Sequence, residues 1–249
     1  MFKATIADVA VFRDSIIAIA ELIDEGIFKI TKNGMSLLAA DRAMVSVVDF
    51  KLPATVFEEY KVEKDQTLGV NISNFVSVIK RAKPEDKLTF ELKGNTLEVR
   101  MLNGGARKFV VPLLDIKGEE IPPIDQLAFK AKVKVKVDVL KSGVEDANVV
   151  ADTIVFHAND GTFRMNAAGD ISSTELVLEK GNDSLISLEV DGDVKARYPL
   201  DYLRKMIKAS KLSDEATISW AKDYPLKLGF KDVDKVEMNF ILAPRVQDD

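Results

Sequence analysis

The chain has 249 residues, 47% of them hydrophobic and 30% charged, enough to bury a sizeable core in one large domain or two of about 100–150 residues. It has no cysteine and a single histidine, His157, which excludes disulfides, thiolate metal sites and multi-histidine metal centres. Its net charge of −5 excludes a surface that grips nucleic acid everywhere, so any such contact must be local.

The first fifteen residues carry charges throughout and lack a small-residue cleavage site, so no signal peptide is expected. The longest apolar run, residues 16–20, is too short to span a bilayer. An intracellular setting is the expectation. Residues 3–7 read as a strand and 9–21 as a helix with Asp8 as its N-cap. Phe12, Ile16, Ile19 and Ile23 supply one packed face. Strands at 26–31 and 35–40 flank Lys32-Asn33-Gly34, a hairpin signal. Strands at 44–51, 56–61 and 66–70 follow.

A helix is predicted over 72–83. Ile72, Phe75, Val76 and Ile79 form its stripe, Lys80, Arg81 and Lys83 crowd its end, and Pro84 stops it. Strands at 87–92, 96–101 and 107–113 make a meander with turns at Lys93-Gly94-Asn95 and Asn103-Gly104-Gly105. Residues 114–127 break this rhythm with Gly118, Pro122 and Pro123, and read as an extended connector. Ile116, Ile121 and Ile124 punctuate it, so it should lie down on an apolar surface. Residues 128–137 form a strand with Ala131, Val133, Val135 and Val137 on one face. Lys130, Lys132, Lys134 and Lys136 form a solvated face that discourages edge aggregation.

The second half repeats the first at a constant offset of 128 residues. Phe12, Ile16 and Ala20 land on Leu140, Val144 and Asn148, and Asp24 on Asp152. Leu200, Leu203 and Ile207 repeat the stripe of the second helix. Lys208 and Lys211 repeat its basic end, and Asp214 stands where Asp86 stood. The chain therefore divides into repeats at 1–113 and 128–249 around the 114–127 connector. The fold class is α+β, each repeat having two helices on one side of antiparallel sheets. Free sheet edges are expected at 107–113 and 171–178, and unpaired edges favour association with further copies.

The segments LIDEGIFKITKNGMSLLAADRAMVSVVDFKL, LGVNISNFVSVIKRAKPEDKL and ILAPRV resemble the sliding clamp family called proliferating cell nuclear antigen, in its archaeal form. The resemblance covers essentially the whole chain. It implies a ring of three subunits around duplex DNA that tethers DNA polymerase, with clamp loader, flap nuclease and ligase as further partners through clamp-binding peptides. It implies no chemistry, no cofactor and no metal, and a cytoplasmic, nucleoid-associated location.

Charge along the chain suits that implication. The segments 72–83 and 200–211 each carry +3, whereas 9–21 carries −1 and 138–148 carries −2. The expected DNA-facing residues are Arg13, Lys80, Arg81, Lys83, Lys141, Arg204, Lys205, Lys208 and Lys211. The resemblance places a partner-peptide pocket at Ala40, Met44, Val45, Ile121, Ile124, Tyr224, Pro225, Leu242, Ala243 and Pro244, with part of the peptide adding as a strand along 243–246. The expected subunit interface joins Arg107, Lys108, Phe109, Val110 and Val111 to Ser173, Thr174, Glu175, Leu176 and Leu178 of a neighbour. Two rival readings are a protein-interaction scaffold outside replication, which would not need the basic segments, and a metal-dependent hydrolase. Asp24, Asp41, Asp152 and Asp170 recur in both halves, yet their spacing matches no metal loop, and aspartates near turns more often act as caps.

Overall fold

The computed structural model describes residues 1–118 and 120–245. They form two compact units. Met1–Arg42, Val48–Glu120 and Asp232–Met238 belong to the first; Ala43–Val47, Ile121–Lys231 and the chain from Asn239 belong to the second.

The first unit contains β1 (Phe2–Ile6), α1 (Val9–Ala20), β2 (Glu25–Thr31), β3 (Gly34–Ala40), all but the first two residues of β4 (Ser46–Pro53), β5 (Glu59–Val62), β6 (Gln66–Asn71), α2 (Ile72–Ile79), β7 (Lys87–Lys93), β8 (Thr96–Leu102) and β9 (Ala106–Pro112). One antiparallel sheet runs β5-β1-β7-β8-β9, and β3, β2 and β6 pair side by side in another. The second unit contains β10 (Ala131–Lys136), α3 (Val137–Val150), β11 (Thr153–Asn159), β12 (Thr162–Ala168), β13 (Ser173–Glu179), β14 (Leu185–Val190), β15 (Val194–Pro199), α4 (Leu200–Met206), β16 (Glu215–Trp220) and β17 (Leu226–Asp232), and β18 (Val236–Leu242) ends the described elements. Its sheets run β13-β12-β11-β15 and β14-β10-β16-β17. The α+β class and the antiparallel sheets match the sequence reading.

The duplication is written into the backbone. The first N–H of α2, from Ile72, donates to the Asp24 carbonyl at 2.8 Å, and the first N–H of α4, from Leu200, donates to the Asp152 carbonyl at 2.9 Å. Each bond satisfies a helix-start donor that would otherwise be orphaned. Side chains add to this in the first unit, where Asp8 accepts from Ala10 N and Asn71 from Asn74 N. At eight residues, α2 is too short to persist alone. It holds because Ile72, Phe75, Val76 and Ile79 are buried. Phe75 meets Phe12 and Phe28 edge-on, with ring centroids 6.1 and 6.4 Å apart. The second unit centres instead on Phe156, Phe163, Tyr198 and Trp220, all fully buried.

Several element boundaries differ from the sequence reading. The predicted helix over 72–83 ends at Ile79, because Arg81 N and Ala82 N bond three residues back in a tighter turn. Its counterpart ends at Met206 and continues as the 3-10 segment Ile207–Leu212. The strand expected over 44–51 begins at Ser46, because Met44 adopts a left-handed φ of 56°. The strand expected over 56–61 starts later, after the 3-10 turn Ala54–Val56. Val137 opens α3 instead of closing a strand, and Asn148 is exposed, so the buried face of α3 runs through Val137, Leu140, Gly143, Val144 and Ala147. Lys132 and Lys136 of β10 are exposed as expected, Lys134 pairs with Glu215, and Lys130, just before the strand, pairs with Asp191.

The start of the connector lies down on its own unit. Leu114 N donates to the Gly69 carbonyl at 2.8 Å, and Ile116 is half-buried. A Cβ on Gly69 would stand 2.2 Å from the Leu114 carbonyl oxygen, whereas one on Gly118 would meet only Ile27 Cδ1, at 3.8 Å. Gly69→Ala is therefore expected to lower unfolding stability by about 1–3 kcal/mol in denaturant titration. Gly118→Ala should stay within about 0.5 kcal/mol of the parent.

Candidate nucleic-acid and partner interfaces

The basic residues of the first unit stand on a fixed turn. Asp86 is 1% exposed and accepts from Lys83 N at 2.7 Å. The Arg107 guanidinium reaches across from β9 to the same carboxylate and to the Arg81 carbonyl, the latter at 3.0 Å. The Lys83 N–H and then the Arg107 guanidinium hold the Asp86 carboxyl below its usual range, against the opposing effect of burial. Lys80, Arg81 and Lys83 are exposed around this turn. In the second unit Arg204, Lys205, Lys208 and Lys211 are exposed on α4 and the 3-10 segment, with Lys205 Nζ 5.5 Å from the Tyr202 ring centroid. Two expected cations are less available. Arg13 is half-buried against Asp14 at 3.2 Å, and exposed Lys141 lies 4.0 Å from Glu145.

Both expected edge stretches are terminal strands, β9 of the five-stranded sheet and β13 of the four-stranded sheet. Their exposure rhythm is the same residue for residue. Phe109 and Leu176 are half-buried, whereas Val111 and Leu178 are buried inside their own units. Val110 is 52% exposed. The polar members are engaged within the chain. Arg107 holds Asp86, Lys108 lies 3.5 Å from Glu98, and Glu175 accepts from Asn166 Nδ2 at 2.6 Å. Ser173 is exposed and Thr174 half-buried.

Most of the expected pocket residues fall in the second unit. The Val45 carbonyl accepts from Ala243 N at 2.9 Å, which ties the loop after β3 to the chain beyond β18. Met44 is 54% exposed beside it. Tyr198, buried on β15, donates its hydroxyl to the Tyr224 carbonyl at 2.7 Å, and Tyr224 meets Phe129 edge-on. Burial, with Asp223 nearby, pushes the Tyr198 phenol up. Pro225, Pro244, Ile121 and Ile124 are half-buried, the last in the 3-10 turn Ile124–Gln126. Leu242 has no exposed surface, at the end of a strand whose last five residues are all buried. Ala40 is likewise buried, in the first unit. Of the 243–246 stretch, Val246 lies outside the described residues.

Comparison with known proteins fits this arrangement. Residues 1–110 match the N-terminal domain of proliferating cell nuclear antigen, and residues 123–245 match its C-terminal domain. The chain belongs to the proliferating cell nuclear antigen family. Among its relatives, the DNA polymerase sliding clamp of Thermococcus fumicolans is 36% identical over 239 residues, covering 95% of each chain. The DNA polymerase sliding clamp of Pyrococcus furiosus is 36% identical over 92% of each. The crystal structure of PCNA from Thermococcus kodakaraensis superposes with a TM-score of 0.92 at 30% identity, covering 98% of this chain and all of that one. A subunit in the PCNA2–PCNA3 complex of Sulfolobus tokodaii gives 0.90 at 28% identity with the same coverage.

Within this family fold, two residues escaped the sequence reading. Val177 points outward from β13 and is 37% exposed, which the unbroken apolar run Leu176-Val177-Leu178 conceals in the sequence. Arg245 donates its backbone N–H to the Arg197 carbonyl at 2.8 Å, a contact with no local sequence signal. The repeated aspartates have structural roles or stand apart. Asp24 pairs with Arg42 at 3.0 Å, Asp152 caps α4 with its carbonyl, Asp41 is buried and Asp170 is exposed. Among the described residues no group of three or more acidic or histidine side chains is placed to hold a metal ion.

Because its folded pKa is depressed, Asp86 contributes stability that is present above about pH 4, its unfolded pKa, and lost as pH falls through the folded value. Asp86→Asn is expected to melt lower at neutral pH and to lose less stability than the parent between about pH 4 and pH 2. Parallel melting curves across that acid range would show that the carboxylate is not the latch.

Proposed function

We infer that this chain is a DNA polymerase sliding clamp, closing as a ring of three copies around duplex DNA. The observation that carries this reading is the repeated basic helix end, with Lys80, Arg81 and Lys83 in one repeat and Arg204, Lys205, Lys208 and Lys211 in the other, on a chain of net charge −5. Lysine and arginine contacts to phosphate are strong, salt-dependent and blind to sequence. A ring lined by them and acidic elsewhere holds a polyanion without fixing its position. The lining is uneven, because Asp138, Glu145 and Asp146 make α3 acidic around Lys141.

Ring closure joins β9 of one copy to β13 of the next, with Val110 and Val177 on the outward side of the joint. The repeats at 1–113 and 128–249, joined by the connector at 114–127, supply one of these edges each. The clamp itself is non-catalytic and needs no cofactor. Polymerase, clamp loader, flap nuclease and ligase dock through peptides beside Met44, Val45, Tyr224, Pro225, Ala243 and Pro244, with Ile121 and Ile124 contributing from the connector. Met44 suits varied peptides because its side chain is long, flexible and polarizable.

Replacing Lys80, Arg81, Lys205 and Lys208 with alanine should leave the solution mass at three times the 27.5 kDa of one chain. The same variant should lower polymerase processivity on primed DNA and flatten the salt dependence of DNA retention. Full processivity at physiological salt would refute the lining. Met44→Asp with Val45→Asp should weaken binding of a clamp-binding peptide by at least about tenfold, about 1.4 kcal/mol. Calorimetry giving parental affinity would remove these residues from the pocket.

A further inference from the structure

The face of the β13-β12-β11-β15 sheet turned away from α3 gathers cations that neither ring closure nor peptide docking uses. His157 on β11 stands directly opposite Arg164 on β12 and directly opposite Lys195 on β15. Opposed residues share one face of a sheet, with Cβ atoms about 4.5–5.5 Å apart. Arg197 lies two residues along β15 on the same face. The neighbours of this row, Phe156, Met165 and Ala196, are buried on the opposite face.

The nearby acids do not neutralise the row. Asp193 is held by His157, Nε2 to Oδ1, at 2.5 Å, and Glu175 is held by Asn166. Arg197 donates to the Thr153 hydroxyl at 3.1 Å. Among the described residues Arg164, Lys195 and Arg197 have no carboxylate within ion-pair distance. Arg164 Nε is sealed from solvent with no acceptor. A cavity of about 490 Å³ opens over these groups, with Val155, His157, Arg164, Lys195 and Arg197 in its lining.

The first unit provides an internal comparison. There the same row is Lys29, opposite Ser36 and Thr67, and carries one cation instead of three basic groups. Gly69 holds the place of Arg197 and Ile27 the place of Val155. That face is covered by extended polypeptide: Leu114 bridges to Gly69, and the backbone at Gly118 passes Ile27. The second unit makes the matching contact, with Arg245 N donating to the Arg197 carbonyl at 2.8 Å, and differs in the basic cavity beside it.

We propose that the cavity of the second unit binds an extended acidic segment of a partner protein, with carboxylates taken by Arg164, Lys195 and Arg197. Guanidinium groups suit carboxylates because they pair through two parallel N–H bonds. The three cations stand on β12 and β15, and the edge strand β13 adds Ser173, Thr174 and Glu175 to the rim of the cavity. The test is fluorescence anisotropy of a labelled hexaglutamate peptide with the full chain at low salt. Arg164→Gln with Lys195→Gln should weaken binding at least about tenfold, and Arg164→Lys, which keeps the charge and most of the packing, should fall between. Replacing Lys80, Arg81, Lys205 and Lys208 with glutamine should leave peptide affinity unchanged. Absence of binding overturns the proposal, as does loss of binding in the quadruple variant in place of the double. Pyrophosphate binding with the same residue dependence, when the peptide does not bind, would make the cavity a small-anion site and overturn it equally.

Discussion

Everything in this fold depends on helices too short to stand by themselves being held by the sheets beneath them. α2 has eight residues and α4 seven before its 3-10 continuation. Neither would persist in water as an isolated peptide. Their stability comes from the apolar stripe, Ile72, Phe75, Val76 and Ile79 in one copy and Leu200, Leu203 and Met206 in the other. With that stripe committed to the core, the side chains left outside it are mostly polar, and the basic ones follow at the helix ends. The position of the cations is therefore a by-product of packing, and packing is what both copies of the duplication preserve.

The copies agree in backbone and disagree in filling. The carbonyls of Asp24 and Asp152 cap equivalent helices, and β9 and β13 share one exposure rhythm. The cores differ: Phe12, Phe28, Phe75 and Phe90 cluster in the first unit, while Trp220 anchors the second with Phe156 and Phe163. Volume-conserving exchanges of this kind are tolerated when pattern and total volume are kept. The outer faces diverge as well: extended chain meets both, at Gly69 and at Arg197, but only the second carries a row of basic side chains.

What was legible in the sequence follows from this division. The constant offset of 128 residues exposed the duplication because buried stripes keep their spacing. The meander at 87–113, the two sheet edges and the hairpin at Asn33-Gly34 were readable from strand patterning and turn chemistry, whereas the order of strands within each sheet was not. The end of α2 was not, because the side chain that closes the following turn, Asp86, lies seven residues past the last helical residue and is positioned by β9. The full burial of Leu242 was unreadable for a related reason. An apolar residue at the end of a strand looks the same whether it faces core or solvent, and only the packed unit shows that it is buried. The row of Lys195, His157 and Arg164 was invisible because it requires the register of three strands at once.

The Asp86 latch bears on motion along a polyanion. Its carboxylate joins the backbone at Lys83 to Arg107 on β9, and Arg107 also holds the Arg81 carbonyl. The roots of Lys80, Arg81 and Lys83 are thus fixed while their long stems stay free. On the reading proposed above, a cation can release one phosphate and take the next by rotating about side-chain bonds alone, without moving backbone. Friction along the duplex would then be set by side-chain rotation and counterion exchange, which are fast, and not by rearrangement of the fold.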